Sequence, residues 1–71
     1  MKGIVTKVFS RRGYFFIETA AGFSYFAPAG RCFSKFTDMK VGVTVIFDVN
    51  EDSDRPQATN IALLEDLEKS A

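Results

Sequence analysis

Along most of this chain apolar side chains recur at every second position, and glycine, proline or charged clusters interrupt them at short intervals. That is the period of half-buried β-strands. The clearest case is residues 43–49, where Val45, Phe47 and Val49 share one face and Thr44, Ile46 and Asp48 the other. Upstream, residues 2–9 are rich in β-branched types, Ser10-Arg11-Arg12-Gly13 turns the chain, and residues 14–19 form a second run, which together read as a hairpin. Ala20-Ala21-Gly22 is a short breaker, and residues 23–26 read as a third strand closed by Pro28 and Gly30. Residues 28–42 are irregular and expected to be mostly loop, with Phe33, Phe36 and Met39 at spacing three. A polar, acidic loop over residues 50–56 then separates the strand at 43–49 from a fifth at 57–64.

Five short strands with a long connection between the third and fourth suit an all-β fold, a small five-stranded barrel of the OB type, in which closure removes exposed strand edges. Within the hairpin, Tyr14 and Phe16 share one face while Phe15 and Ile17 share the other, so one pair can be core and the other a surface platform. The first strand is less decided. Alternation sets Ile4, Thr6 and Val8 against Gly3, Val5, Lys7 and Phe9, and a bulge midway would exchange their roles.

With 71 residues the chain makes one small domain, expected as a barrel over residues 1–64 and a short acidic tail over 65–71; a surface site suits this size better than a deep cleft. In the tail, Leu63, Leu64 and Leu67 make an amphipathic turn, expected to be a flap on the barrel's base or a frayed end, and docking on a partner or a second copy is the alternative. A third idea has Glu65, Asp66 and Glu68 folding back over the basic face. No apolar run approaches a membrane span and the N-terminus lacks a signal-like stretch, so a cytoplasmic location without membrane partner is expected. Cys32 is the single cysteine and there is no histidine. The usual general bases, nucleophile settings and metal ligands are therefore missing, and the expectation is no enzyme, no cofactor and no metal. Asn50, Asp52 and Asp54 alternate as in a calcium loop, but Arg55 stands where that loop needs glycine and Ile61 where it needs glutamate.

Formal net charge is zero, yet the charge is unevenly placed. Residues 1–40 carry seven Lys and Arg against Glu18 and Asp38, residues 41–71 carry seven Asp and Glu against Arg55 and Lys69, and the first half holds every aromatic except Phe47. Rings interleaved with cations are the footprint of single-strand nucleic-acid binding, where bases stack on aromatics for about 1–3 kcal/mol each and cations take the phosphates. On the hairpin this nominates Tyr14 and Phe16 as platforms, with Arg11 and Arg12 beside them.

Over residues 1–64 the chain resembles the cold-shock domain of bacterial cold-shock proteins and Y-box proteins, as a divergent member. That family's first strand and turn run Gly-x-Val-Lys-Trp-Phe-Asn-x-x-Lys-Gly-Phe-Gly-Phe-Ile. Residues 3–17 have the same length without a gap: Gly3, Val5, Gly13, Phe16 and Ile17 match, and Arg12 and Tyr14 are conservative. The family's Val-Phe-Val-His falls on Ser24-Tyr25-Phe26-Ala27, which keeps Tyr25 as its stacking ring. Gly42, Val45 and Phe47 sit where its fourth strand expects them, and Pro56-Gln57-Ala58-Thr59-Asn60-Ile61 resembles its Pro-x-Ala-x-Asn-Val close. Lys7 and Val8 replace the family's Trp-Phe, Phe15 replaces a glycine, and Ala27 and Pro28 stand where it has two further stacking residues.

The resemblance implies a protein that binds single-stranded RNA or DNA with little sequence preference, as an RNA chaperone or regulator. Tyr14, Phe16 and Tyr25 would stack bases, and Lys7, Arg11 and Arg12 would hold phosphates, with Arg31 and Lys35 as further cations and Phe9, Phe33 and Phe36 as further rings. It would act as a monomer or weak homodimer. The alternative is a protein-interaction module on the same barrel that has lost much of the stacking platform, since exposed rings and arginines also make protein contacts.

Overall fold

A computed structural model describes residues 1–51 and 56–69. Five strands form it: β1 (Lys2–Phe9), β2 (Tyr14–Glu18), β3 (Ser24–Pro28), β4 (Thr44–Asn50) and β5 (Gln57–Leu63), followed by the short helix α1 (Leu64–Lys69). They close into a barrel in the order β1-β2-β3-β5-β4, with β4 returning to β1. This is the expected all-β, OB-type barrel. Neighbours are antiparallel except β3 and β5, which run parallel and meet at Phe26 and Gln57. No helix among the described residues is long and apolar enough to cross a membrane.

The β1–β2 turn forms because Phe9 O accepts from the N–H groups of Arg12 (3.0 Å) and Gly13 (2.9 Å) while Gly13 adopts φ 78°, a conformation that only glycine reaches without strain. The β1–β2 ladder steps from Val5↔Ile17 to Lys7↔Phe16, leaving Thr6 as an extra residue on β1. This bulge is the midway exchange that β1's pattern left open: Gly3 and Val5 point into the barrel, whereas after Thr6 it is Val8 that packs on the core and Lys7 and Phe9 that point out. A second bulge was not expected. On β5 the pairing steps from Asp48↔Thr59 to Ile46↔Ala62, and Asn60 takes up the slack at φ 51°, so inward positions change from Ala58 to Ile61 and Leu63.

The core is made of Val5, Phe15, Ile17, Ala27, Met39, Val45, Phe47, Ala58, Ile61 and Leu63, the inward faces of all five strands plus one loop residue. Gly3 lets β1 lie close to it: a β-carbon there would stand 2.5 Å from Ile17 Cγ2, 3.0 Å from Glu18 O and 3.2 Å from Phe47 Cε1.

Strand ends differ from the sequence expectation by one or two residues, and three differences bear on the site. β3 is displaced to Ser24–Pro28, leaving Phe23 exposed in the turn and Pro28 inside the strand. Proline is tolerated there because the N–H of Ala29 makes the bond to Gly13 O (2.9 Å), so Tyr14 and Pro28 form a pair without ladder bonds to β2. The β3–β4 connection is mostly loop, as expected, but it contains two single 3₁₀ turns, Ala29–Arg31 and Phe36–Asp38, and it plugs one end of the barrel: Met39 is buried and the Phe36 ring lies 5.9 Å from that of Phe15. Finally, Leu64 opens α1 and does not end β5.

Over its described residues, 65–69, the tail is a flap on the barrel. α1 packs against β4 and β5, and the Ser34 hydroxyl donates to Asp66 Oδ2 at 2.6 Å while accepting from the Leu63 N–H at 3.0 Å. The carboxylates of α1 therefore do not fold back over the ring-bearing strands. The loop weighed as a calcium site includes residues 52–55, which lie outside the described residues.

Candidate nucleic-acid interface

Cross-strand pairing fixes which side chains share the outer wall of β1, β2 and β3. Lys7 lies opposite Phe16, which lies opposite Phe26; two positions along, Phe9 lies opposite Tyr14, which lies opposite Pro28.

 Tyr14 and Pro28 are thus the directly opposed pair that completes this second row. Residues directly opposite one another point to the same side of a sheet, so Lys7, Phe9, Tyr14, Phe16, Phe26 and Pro28 form one two-by-three outer array.

Four of the six are rings in mutual contact. Centroids are 4.9 Å apart for Phe9 and Tyr14, 5.2 Å for Tyr14 and Phe26, and 6.0 Å for each of Phe9–Phe16, Tyr14–Phe16 and Phe16–Phe26. The Tyr14 and Phe16 rings meet edge to face at 87°, and Phe9 and Tyr14 are tilted at 33°. Such tilted and edge-to-face pairing holds the rings together while each residue keeps part of its surface in solvent. Phe9 is exposed and Tyr14, Phe16 and Phe26 are half-buried. The wall is a contiguous apolar surface on a rigid sheet, and it is wet on one side.

Tyr25, expected as the third stacking ring, is not on this wall. It alternates with Phe26 on β3, turns inward with Ala27, and packs its ring 5.7 Å from that of the buried Phe47. Phe26 occupies the outer place. Sequence reasoning missed it because β3 has rings at two consecutive positions, so alternation alone does not say which is inside. The available signal was Ala27: a small residue fits the crowded interior and is fully buried, which sends its neighbour Phe26 outward.

The cations divide in the same way. Lys7 sits in the array itself, exposed and opposite Phe16, and Arg11 and Arg12 are exposed in the turn that closes the same hairpin. Arg31 is exposed in the 3₁₀ turn that starts where Ala29 is bonded to Gly13, at the same end of the wall. Among the described residues none of these four is ion-paired. Lys35 is exposed but follows Ser34, which is tied to α1, and so belongs to the helix side of the barrel. Of the two further rings considered, Phe36 is part of the core plug and Phe33 is exposed on the loop.

Charge is thus two-sided. The groove between the β3–β4 loop and α1 is lined by Asp38, Glu65, Asp66 and Glu68 with Lys40, and it repels a polyanion, whereas the ring wall carries Lys7, Arg11 and Arg12. Cys32 is half-buried in the β3–β4 loop where that loop bridges to Ile61, and burial pushes its thiol up to about 11 from 9.0, which makes it a packing residue of low reactivity at neutral pH. Among the described residues no group of three His, Cys, Asp or Glu side chains is placed to hold a metal ion.

No protein-family model matches the chain, and comparison with curated protein sequences gives no match.

Proposed function

We propose that this protein binds single-stranded RNA or DNA through the outer wall of β1–β3, with low sequence specificity and without making or breaking a bond. The observation that carries this reading is the contiguous Phe9-Tyr14-Phe16-Phe26 cluster with Lys7 among the rings and Arg11 and Arg12 at its end. Bases would stack on the four rings and the backbone would run past the turn, where Arg11, Arg12 and Arg31 neutralise phosphates. Every base has a flat face, so stacking of this kind tolerates sequence. A protein that covers bases in this way keeps a strand unpaired, which is the chaperone or regulatory role that the cold-shock resemblance implies, in the cytoplasm.

The resemblance is supported further by a one-residue shift of its second motif. With Phe26 in place of Tyr25 as the stacking ring, Ala27 falls on an inward valine and Pro28 on the histidine. Only the last of these outer positions then lacks a ring or its equivalent.

The test is fluorescence anisotropy of labelled single-stranded oligonucleotides across a salt series. Phe16→Ala is expected to weaken binding at every salt concentration with an unchanged slope. Arg12→Ala is expected to lower the slope of log affinity against log salt by about 0.7, the loss of one phosphate contact to a single strand. Absence of binding at low salt would sink the proposal and favour a protein partner for the same wall.

A further inference from the structure

The outer wall continues past the rings. Beyond Phe16 and Lys7, the next cross-strand row is Glu18, Ile4 and Thr44, on β2, β1 and β4. This row crosses a shallow concavity of about 500 Å³ that is also lined by Lys2 and Thr19. Ile4 is 50% exposed and offers an apolar floor in line with the rings. Lys2 precedes it by two positions on the same face, and Thr19 Oγ1 lies buried beneath without a hydrogen-bond partner.

Glu18 is the feature that asks for an explanation. It is the only carboxylate in residues 1–28, it is exposed, and among the described residues it is not ion-paired. On a wall that gathers phosphates, a lone carboxylate repels the backbone. What it accepts is a hydrogen-bond donor, and the N–H donors of a single strand, the only donors common to RNA and DNA along its length, are on base edges.

We propose that the concavity over Ile4, between Glu18 and Lys2, is a base pocket that prefers guanine. The proposal rests on the nucleic-acid reading above and adds a selective position to an otherwise tolerant wall. On its Watson–Crick edge guanine presents two adjacent donors, N1–H and the 2-amino group, which meet the two oxygens of a carboxylate as parallel charge-assisted bonds. The same edge carries the O6 acceptor, which suits the Lys2 ammonium. Adenine and cytosine set an acceptor beside their single amino group, and thymine and uracil flank one N–H with two carbonyls, so each of them turns at least one lone pair toward Glu18. The purine ring would lie on Ile4 as the step after the base on Phe16.

The experiment compares a labelled heptathymidylate with the same heptamer carrying guanine, or hypoxanthine, at its centre, on the wild type, Glu18→Gln and Lys2→Met. The wild type is expected to bind the guanine heptamer about tenfold more tightly than heptathymidylate, the discrimination of one good bidentate contact. Hypoxanthine lacks the 2-amino group and should lose most of that gain. Glu18→Gln should erase the preference while leaving heptathymidylate affinity within about twofold, and Lys2→Met should reduce it. If heptathymidylate binds but guanine gives no gain, or if the gain survives Glu18→Gln, the pocket is refuted and the ring wall stands. If none of the oligonucleotides binds at low salt, the nucleic-acid reading itself has failed.

Discussion

Tyr25 and Phe26 are neighbours in the chain, both aromatic, and the barrel gives them opposite tasks, so replacing each in turn separates stability from binding. Phe26 faces out with its ring 5.2 Å from Tyr14 and 6.0 Å from Phe16. Removing it in Phe26→Ala takes away one stacking surface, worth about 1–3 kcal/mol. At about 1.4 kcal/mol per decade this is a roughly 5- to 150-fold rise in Kd. Its ring pairs contribute about 0.5–1.5 kcal/mol to folding beyond the area they cover, so a modest fall in stability accompanies the loss.

Tyr25 faces in, half-buried, with its ring 5.7 Å from Phe47. A fully buried aromatic truncated to alanine costs about 3–5 kcal/mol; at half burial, Tyr25→Ala is expected to cost about 2 kcal/mol, or a fall in Tm of about 8–16 °C for a domain of this size. Tyr25→Leu keeps most of the apolar volume and guards against outright unfolding. Anisotropy of a labelled oligothymidylate at 25 °C, paired with thermal unfolding followed by circular dichroism, reads both quantities. The expected result is a large Kd change with Phe26→Ala and less than a twofold change with folded Tyr25→Leu. If Tyr25→Leu weakens binding as much as Phe26→Ala while remaining folded, the outer wall is not the contact surface.

Three further outcomes follow from the geometry. Gly3→Ala drives a methyl group to 2.5 Å from Ile17 Cγ2 in a fully buried place, and a loss of about 1–3 kcal/mol is expected in denaturant titration; unchanged stability would mean that β1 shifts away freely. Ser34→Ala removes the hydrogen bonds that link the loop to Asp66 of α1 and to the Leu63 N–H just before it, so amide exchange over residues 64–69 should speed up while that of β1 and β2 stays the same; equal exchange in both proteins would deny the tether its role. A Cys32 thiol that ionises near 11 instead of 9.0 holds about a hundredfold less thiolate at pH 8, so alkylation by iodoacetamide should be slowed about a hundredfold relative to the unfolded chain. Because the folded thiol has the raised value, its stabilising contribution is complete below pH 9 and is lost as pH rises toward 11; alkylation at the unfolded rate in the native state would contradict the burial.

Most of the barrel was legible because its strands obey a period of two. The alternation over Val45, Phe47 and Val49 gave β4 its inward face, and the turn chemistry of Arg12-Gly13 gave the first hairpin. What escaped were positions where the period is broken or uninformative. Asn60 bulges β5 and shifts the inward set by one, with no cue except that asparagine tolerates positive φ. Tyr25 and Phe26 are alike in hydrophobicity, so their faces are decided by pairing with β2 and by the small Ala27. Phe36 and Met39 close the barrel through contacts remote in sequence, and no local pattern distinguishes them from the exposed Phe33. The platform on the hairpin was visible as Tyr14 and Phe16; the registration that brings Lys7 and Phe9 beside them needed the sheet.

Thr6 matters to this surface as a count more than as a side chain. Were the ladder to run straight through it without a bulge, composition and charge would be untouched, yet every residue from Lys7 to Phe9 would trade sides, sending an ammonium and a phenyl group into the interior and Val8 into water. Two sequences of this kind could agree at nearly every letter and still present different chemistry to solvent. For the ring wall, the bulge between Val5 and Lys7 is therefore as necessary as the rings themselves.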